Sequence, residues 1–281
     1  MFYISDDAID RLIKEDVPYL DLTTLVLGIG NKKGIIRFSS REFTVLAGVE
    51  EVLRIFAKLD IRTVESLPSG SQVENGETFI FAEGMAETLH TAWKVSLNIL
   101  EYCSGVATRT RKLVDKAKSI NPDISIVTTR KSFPGTKDLC MKSVIAGGGF
   151  PHRLGLSETI LIFKQHVNFL GGFNSLPSLI PEIKLKAAEK KIIVEVETEE
   201  EAFLLASSGV DGIQFDKVPA PQLKALVAEL RKMNPLITLI AAGGINEGNV
   251  AEYASTGVNA LATSAVYFGK PSDIGVKIEQ V

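Results

Sequence analysis

Six short apolar runs recur after residue 123: ISIVTT, TILIF, KIIVEVE, GIQFD, ITLIAA and NALAT. Helical stretches such as LKAAEK, EEAFLLASS, PAPQLKALVAELRKM and NEGNVAEYAS lie between them. Strands that stay apolar along both faces are covered on both sides, and a strand–helix rhythm builds a parallel sheet. Six or seven such units predict an α/β fold, an incomplete (β/α) barrel of six or seven parallel strands. In that architecture chemistry gathers at the C-terminal ends of the strands, which makes the residue after each run a candidate.

The chain before about residue 104 has a different rhythm. Ser5-Asp6-Asp7 can cap a helix over AIDRLIKE. GIIRFSSREFTVLAG reads as short strands, and Val52, Ile55, Phe56 and Leu59 give EEVLRIFAKL a helical stripe. LPSGSQVENGETFIFAEG carries the Gly and Asn punctuation of tight turns. A long helical pattern begins near Glu87, with Gly105 as a break or a close-packing point.

Composition excludes several classes. A formal net charge of -3 over 281 residues offers no overall attraction to nucleic acid or an anionic membrane. No run of about 18 apolar residues reads as a membrane span, and the N-terminus lacks the basic and apolar pattern of a signal peptide. Cys103 and Cys140 are far apart with no CxxC pair, so neither a disulfide scaffold nor a cysteine zinc cluster is expected. Both read as buried, inert thiols, and a reducing cytoplasm fits best.

The strand ends supply the candidates. Arg130 and Lys131, followed by a Pro-Gly turn, suit an anionic ligand, although a solvated basic pair has the same appearance. Gly147-Gly148-Gly149 before His152 and Arg153 lets backbone approach a ligand, yet glycine clusters also fill plain loops. Glu195 and Glu197 are two apart on an apolar strand and are expected on one face, toward the lumen. Buried carboxylates there need a ribose hydroxyl, a cation or another partner. Asp216 ends the next strand. Ala242-Gly243-Gly244, ahead of a helix expected to open at Asn246, together with Thr263-Ser264, has the pattern of a late-strand phosphate cradle. His90 and His166 have no evident chemical partner and read as core or surface residues. P-loop, GxSxG and HExxH motifs are absent.

Asp21-Leu22-Thr23-Thr24, SLNILEYCSGVATRT, TTRKSFPG, GGGFPHRLGL, VEVE, the Asp216 strand end, and AAGGIN before GVNALATSA resemble, in order, the quinolinate phosphoribosyltransferase family (nicotinate-nucleotide pyrophosphorylase, carboxylating). The resemblance spans nearly the whole chain. It implies an N-terminal α/β sandwich over residues 1–104, joined by the tail 268–281, and a barrel over 105–267. It also implies a homodimer or higher oligomer whose active site borrows a residue from the neighbouring subunit. Its small-molecule substrates would be phosphoribosyl pyrophosphate, bound with Mg²⁺, and a carboxylated heterocycle such as quinolinate.

By position, the resemblance assigns catalysis to Lys131, Glu195 and Asp216, with Glu195 and Asp216 also holding ribose hydroxyls and Mg²⁺. Lys94, Arg130, His152, Arg153, Phe163 and Lys164 would contact substrate, and Gly243, Gly244 and Ser264 the 5-phosphate. The expected reaction is displacement of pyrophosphate at the anomeric carbon by a ring nitrogen, through an oxocarbenium-like transition state. Several positions depart from the family pattern. Lys94 stands for an arginine, Phe163 for a substrate-facing lysine, Lys164 for an aspartate, and Ser264 and Phe268 for a glycine and a histidine. These changes resemble the ModD-like branch, whose members are associated with molybdenum transport. They predict an acceptor with one fewer anionic group or a bulkier body. Two rival readings are a non-catalytic accessory or sensor protein of molybdenum uptake, and a lyase using Lys131 as a Schiff base.

Overall fold

Ile192, Ile193, Val194 and Val196 are all buried, as a run of β-branched residues covered on both faces should be. This strand, Ile192–Val196, belongs to a seven-stranded sheet in which every pairing is parallel. In space the strands run Phe150–Pro151, Ser125–Thr128, Ala260–Thr263, Thr238–Ala242, Gly212–Asp216, Ile192–Val196 and Ile160–Ile162. The first and last do not pair, so the barrel is open between them. Six strands coincide with the apolar runs. The seventh, Phe150–Pro151, lies in what reads as a glycine loop, and two residues are too short for a periodic signal.

The computed structural model describes residues 3–281, and the chain divides into two units. One comprises the residues up to Arg111, Phe133–Gly148 and Tyr267–Val281; the other comprises Lys112–Ser132 and Gly149–Val266. The expected boundary at residue 105 falls within one unbroken helix, Ala86–Lys118. Gly105 does not break that helix. A Cβ there would stand 3.1 Å from the amide nitrogen of Ser272, so the glycine serves close packing against the tail.

The first unit is built on a four-stranded antiparallel sheet. Its spatial order is Ile274–Gln280, Lys33–Ser40, Thr78–Met85 and Arg62–Ser66. Burial alternates along Lys33–Ser40, putting Ile36 and Phe38 into the core, where Phe38 meets Phe56 at 6.3 Å between ring centroids. Two local caps account for the early helices. Ser5 accepts from the Ala8 amide to start Asp6–Asp16. Asp21 accepts from the amides of Thr23 and Thr24, and from the Thr24 hydroxyl at 2.5 Å, to start Leu22–Leu27. Among the described residues no helix is long and apolar enough to cross a membrane.

Candidate active site

The strand register of the second unit builds the floor of a cleft. Leu161 pairs with Ile193, and two residues further along Glu195 lies beside Gln214, which pairs in turn with Ile240 and then Ala260. The next layer carries Asp216, Ala242, Ala262 and Val127. Side chains two apart share a face, so apolar Leu161 and Ile193 close the bottom and the acids stand above them. Small Ala242, Ala260 and Ala262 leave room beside the acids. The cleft has a volume of about 820 Å³.

Most expected site residues meet here. Arg130, Lys131, His152, Arg153, Phe163, Glu195, Asp216, Gly243, Gly244 and Ser264 all line the cleft, and the pairing of Thr128 with Thr263 brings the ends of the strands that carry Arg130 and Ser264 next to each other. Arg130 and Lys131 are exposed at the mouth. Arg153 is only 9% exposed, and its guanidinium carbon lies 5.7 Å from the centroid of the Phe163 ring. The ring is fixed from behind: it stacks on His166 at 5.9 Å, and the Phe163 amide donates to Nδ1 of His166 at 3.0 Å. His166 is thus a support for the site.

Electrostatics sort these groups. Burial depresses Arg153, and the neighbouring Arg130 adds to the effect. His152 is also pushed down, first by burial and then by Arg153, against an opposing contact from Gln214. Both of these effects favour the neutral imidazole, and its Nε2 is buried with no hydrogen-bond partner among the described residues. Burial raises the Glu195 carboxyl; Gln214, whose side-chain amide donates to Oε2 at 2.6 Å, pulls it back, while Asp216 and Glu197 push it up again.

The glycine turn is rich in unused donors. Gly243 and Gly244 take left-handed φ values of 86° and 76°. The amides of Gly243, Gly244 and Ser264 donate to no other described residue, and a Cβ on Gly244 would meet nothing within 4 Å. Thr263 is a brace: its hydroxyl donates to the Ile245 carbonyl at 2.6 Å and accepts from the Ala265 amide. No helix opens at Asn246, contrary to expectation. The helix is Val250–Ala254, and Asn246 and Asn249 form a polar turn in which the Asn246 amide is taken by Asn249 Oδ1 at 2.8 Å. The anion-binding capacity of this segment comes from the glycine turn.

Several expected contacts fall elsewhere. Glu197 lies one residue past the strand end, exposed, and Lys164 pairs with it at 2.8 Å. Neither lines the cleft, because the strand ends at Val196 and its two-residue alternation goes no further. Gly147 caps the helix Lys137–Ala146, and a Cβ there would stand 2.6 Å from Thr110 Cβ, which makes it a packing glycine. Lys94 belongs to the first unit, where its ammonium rests 4.5 Å from the Trp93 ring. Cys103 is buried as expected, its thiol pushed up to about 12, whereas Cys140 is only half-buried.

Gln214, Lys217, Thr129 and Gln165 also line the cleft without having been singled out. Gln214 carries the same sequence signal as Glu195, a polar residue in the middle of an apolar strand.

The model of the quinolinate phosphoribosyl transferase N-terminal domain matches residues 21–104, and that of the C-terminal domain residues 106–277. A protein of Pasteurella multocida named as a ModD pyrophosphorylase is 38% identical over 280 residues, covering 100% of this chain and 99% of that one. The nicotinate-nucleotide pyrophosphorylase (carboxylating) of Mycobacterium leprae is 31% identical over 94% of this chain and 93% of its own. The crystal structure of nicotinate-nucleotide pyrophosphorylase from Ehrlichia chaffeensis superposes with a TM-score of 0.90 at 25% identity, covering 99% of this chain and 100% of that one. The chain belongs to the quinolinate phosphoribosyl transferase family and is an enzyme of its pentosyltransferase type.

Proposed function

We propose that the enzyme transfers ribose 5-phosphate from phosphoribosyl pyrophosphate to the ring nitrogen of a carboxylated aromatic heterocycle, releasing pyrophosphate. The observation that carries this reading is the meeting of three kinds of group at one mouth. Cations (Arg130, Lys131, Arg153), carboxylates (Glu195, Asp216) and donating amides (Gly243, Gly244, Ser264) line the same cleft. A sugar bearing phosphate at one end, pyrophosphate at the other and hydroxyls between matches that set of contacts.

Displacement at the anomeric carbon needs positioning and charge complementarity more than a nucleophilic side chain. Arg153 and His152 would hold the acceptor carboxylate, with the acceptor ring against Phe163. Glu195, held by Gln214, faces the carbon on which positive charge develops, and Arg130 and Lys131 neutralise the departing pyrophosphate. Among the described residues no group of three or more His, Cys, Asp or Glu side chains could hold a metal ion alone. Glu195 and Asp216 fit a Mg²⁺ that arrives on the donor's phosphates, since that ion takes one or two carboxylates plus phosphate oxygens. When bound it would supply charge neutralisation at the pyrophosphate. The assembly we propose is a homodimer whose active site borrows a residue from the neighbouring subunit.

The test is pyrophosphate release from phosphoribosyl pyrophosphate and Mg²⁺ across a panel of pyridine and other heterocyclic mono- and dicarboxylates. Release with at least one acid is expected. Donor binding with no release for any acid would favour the accessory or sensor reading. Borohydride trapping of a carbonyl substrate on Lys131 would favour the lyase.

A further inference from the structure

The ends of the strands Gly212–Asp216 and Thr238–Ala242 are joined by a backbone conformation that the sheet itself does not require. Among the described residues other than glycine, only Asp60 and Lys217 take left-handed φ values, 54° and 58°. Asp60 sits just past the helix Val49–Lys58, where a short side chain of its type is at home. Lys217 has a long stem that gains nothing locally from that conformation, and it borders the cleft. Its amide donates to the Ala242 carbonyl at 2.9 Å. The residue just past that strand, Gly243, has room for no side chain: a Cβ would stand 2.5 Å from Lys217 Cγ and 2.7 Å from its amide nitrogen. The stem therefore lies over the bare backbone of the glycine turn, and the ammonium reaches Oδ2 of Asp216 at 2.9 Å. Outliers held in place by their neighbours cluster at functional sites.

We propose that Lys217 is a donor-binding residue, whose ammonium grips the monoester phosphate on the Gly243–Gly244 turn and is parked on Asp216 when no ligand is bound. The inference rests on the transfer reading above. The amides of Gly243, Gly244 and Ser264 are neutral donors, and Lys217 gives their turn the charge it lacks. The Lys217 side chain is 76% exposed, so its pairing with Asp216 is weak and exchangeable. Ligand binding then trades one ion pair for two contacts. The ammonium moves to the phosphate, and Asp216 is released to the ribose hydroxyls. A sugar phosphate satisfies both groups, whereas inorganic phosphate draws off the lysine and leaves Asp216 without compensation. The site thereby selects for a phosphate attached to a diol.

Calorimetric titration of the full-length enzyme tests this, with ribose 5-phosphate and with magnesium pyrophosphate, using wild type, Lys217→Asn, Lys217→Gly and Lys217→Arg. Asn and Gly both accept left-handed φ, so they remove the charge while keeping the turn. The dissociation constant for ribose 5-phosphate should rise at least about tenfold in both. Lys217→Arg should stay within about threefold of wild type because the charge is kept. Magnesium pyrophosphate should bind the Asn and Gly variants no more weakly than wild type, since its Mg²⁺ goes to Glu195 and to the Asp216 that those variants leave unpaired. Wild-type affinity for ribose 5-phosphate in the Asn and Gly variants would overturn the proposal. So would an Arg variant as weak as Asn, or a loss confined to pyrophosphate. A divergence between Asn and Gly would assign the effect to backbone conformation instead. Wild-type enzyme that binds neither ribose 5-phosphate nor phosphoribosyl pyrophosphate would sink the transfer reading itself, a result distinct from wild-type binding that the variants retain.

Discussion

The side-chain amide of Gln214 donates to Oε2 of Glu195 at 2.6 Å, and parallel pairing sets the two residues side by side on neighbouring strands. Gln214 is 6% exposed, so its carboxamide is committed to this role and fixes which way the acid points. Gln214→Met is nearly volume-conserving and should fold. Removing a hydrogen bond to a charged group costs about 1.5–3 kcal/mol, which corresponds to a fall in kcat/KM of about 10- to 100-fold. The loss should appear in kcat, with the KM for the donor little changed, because orientation at the reacting carbon is what is lost. Unaltered steady-state kinetics would remove Gln214 from the mechanism.

Arg153 sets function against stability. A nearly buried guanidinium stacked on an aromatic ring, with a second arginine nearby, is held at a cost that only a bound anion offsets. Arg153→Leu should therefore unfold at a temperature equal to or above that of wild type while losing acceptor turnover by at least about 100-fold. Thermal denaturation beside pyrophosphate release decides it; a large drop in melting temperature would mean that Arg153 is a structural residue.

Phe163 makes its part of the cleft wall aromatic and uncharged, and Lys164, next in the chain, pairs instead with Glu197. Phe163→Lys adds a cation on the acceptor side, so quinolinate should bind more tightly relative to a pyridine monocarboxylate. A shift of about 1.4 kcal/mol, tenfold in the ratio, is enough to be read by competition. An unchanged ratio would mean that the acceptor does not contact this wall.

The barrel was legible because its strands are covered on both faces and read as unbroken apolar runs, as Ile192–Val196 shows. The rule that chemistry follows the strand ends points to Arg130, Glu195, Asp216 and the glycine turn, and the structure brings these into one cleft. What escaped depended on distances along the chain that periodicity does not resolve. Glu197 shares the spacing of Glu195 but lies beyond the strand, so alternation stopped one residue too soon for it. Gly147 and Gly243 look alike in sequence, yet one packs beneath Thr110 and the other makes room for Lys217. Which neighbour fills a glycine's missing side chain is tertiary information.

In the first unit, Lys142 holds Glu50 at 2.9 Å and the fully buried Glu51 at 2.7 Å. Burial raises the Glu50 carboxyl, but the Ser69 hydroxyl, Lys142 and the Ser69 amide outweigh it and bring it to about 2 from 4.5. A carboxyl depressed in the folded state contributes stability that is complete above its unfolded value and disappears as pH falls through the folded one. Glu50→Gln should therefore be less stable than wild type at pH 7, with the gap closing between pH 4.5 and 2. Denaturant unfolding across that range reads it; a gap independent of pH would mean that the Glu50 charge contributes nothing.

Gly243 and Gly244 are neighbours with similar backbone angles, and the structure assigns them unequal burdens. Both hold left-handed φ, which in a residue with a side chain costs about 1–2 kcal/mol. Gly244→Ala should show that cost and little else, since the added methyl meets open space. Gly243→Ala must also displace the Lys217 backbone nitrogen and the Asp216 carboxylate, both within 2.7 Å of the new methyl. Overpacking of that kind adds about 1–3 kcal/mol. The two variants should therefore differ in denaturant unfolding, with Gly243→Ala the less stable. They should differ again in ribose 5-phosphate affinity, because only Gly243→Ala moves the segment that carries Asp216 and Lys217. Equal stabilities would show that the two strand ends are not interlocked, and the phosphate side of the cleft would then be an ordinary flexible turn.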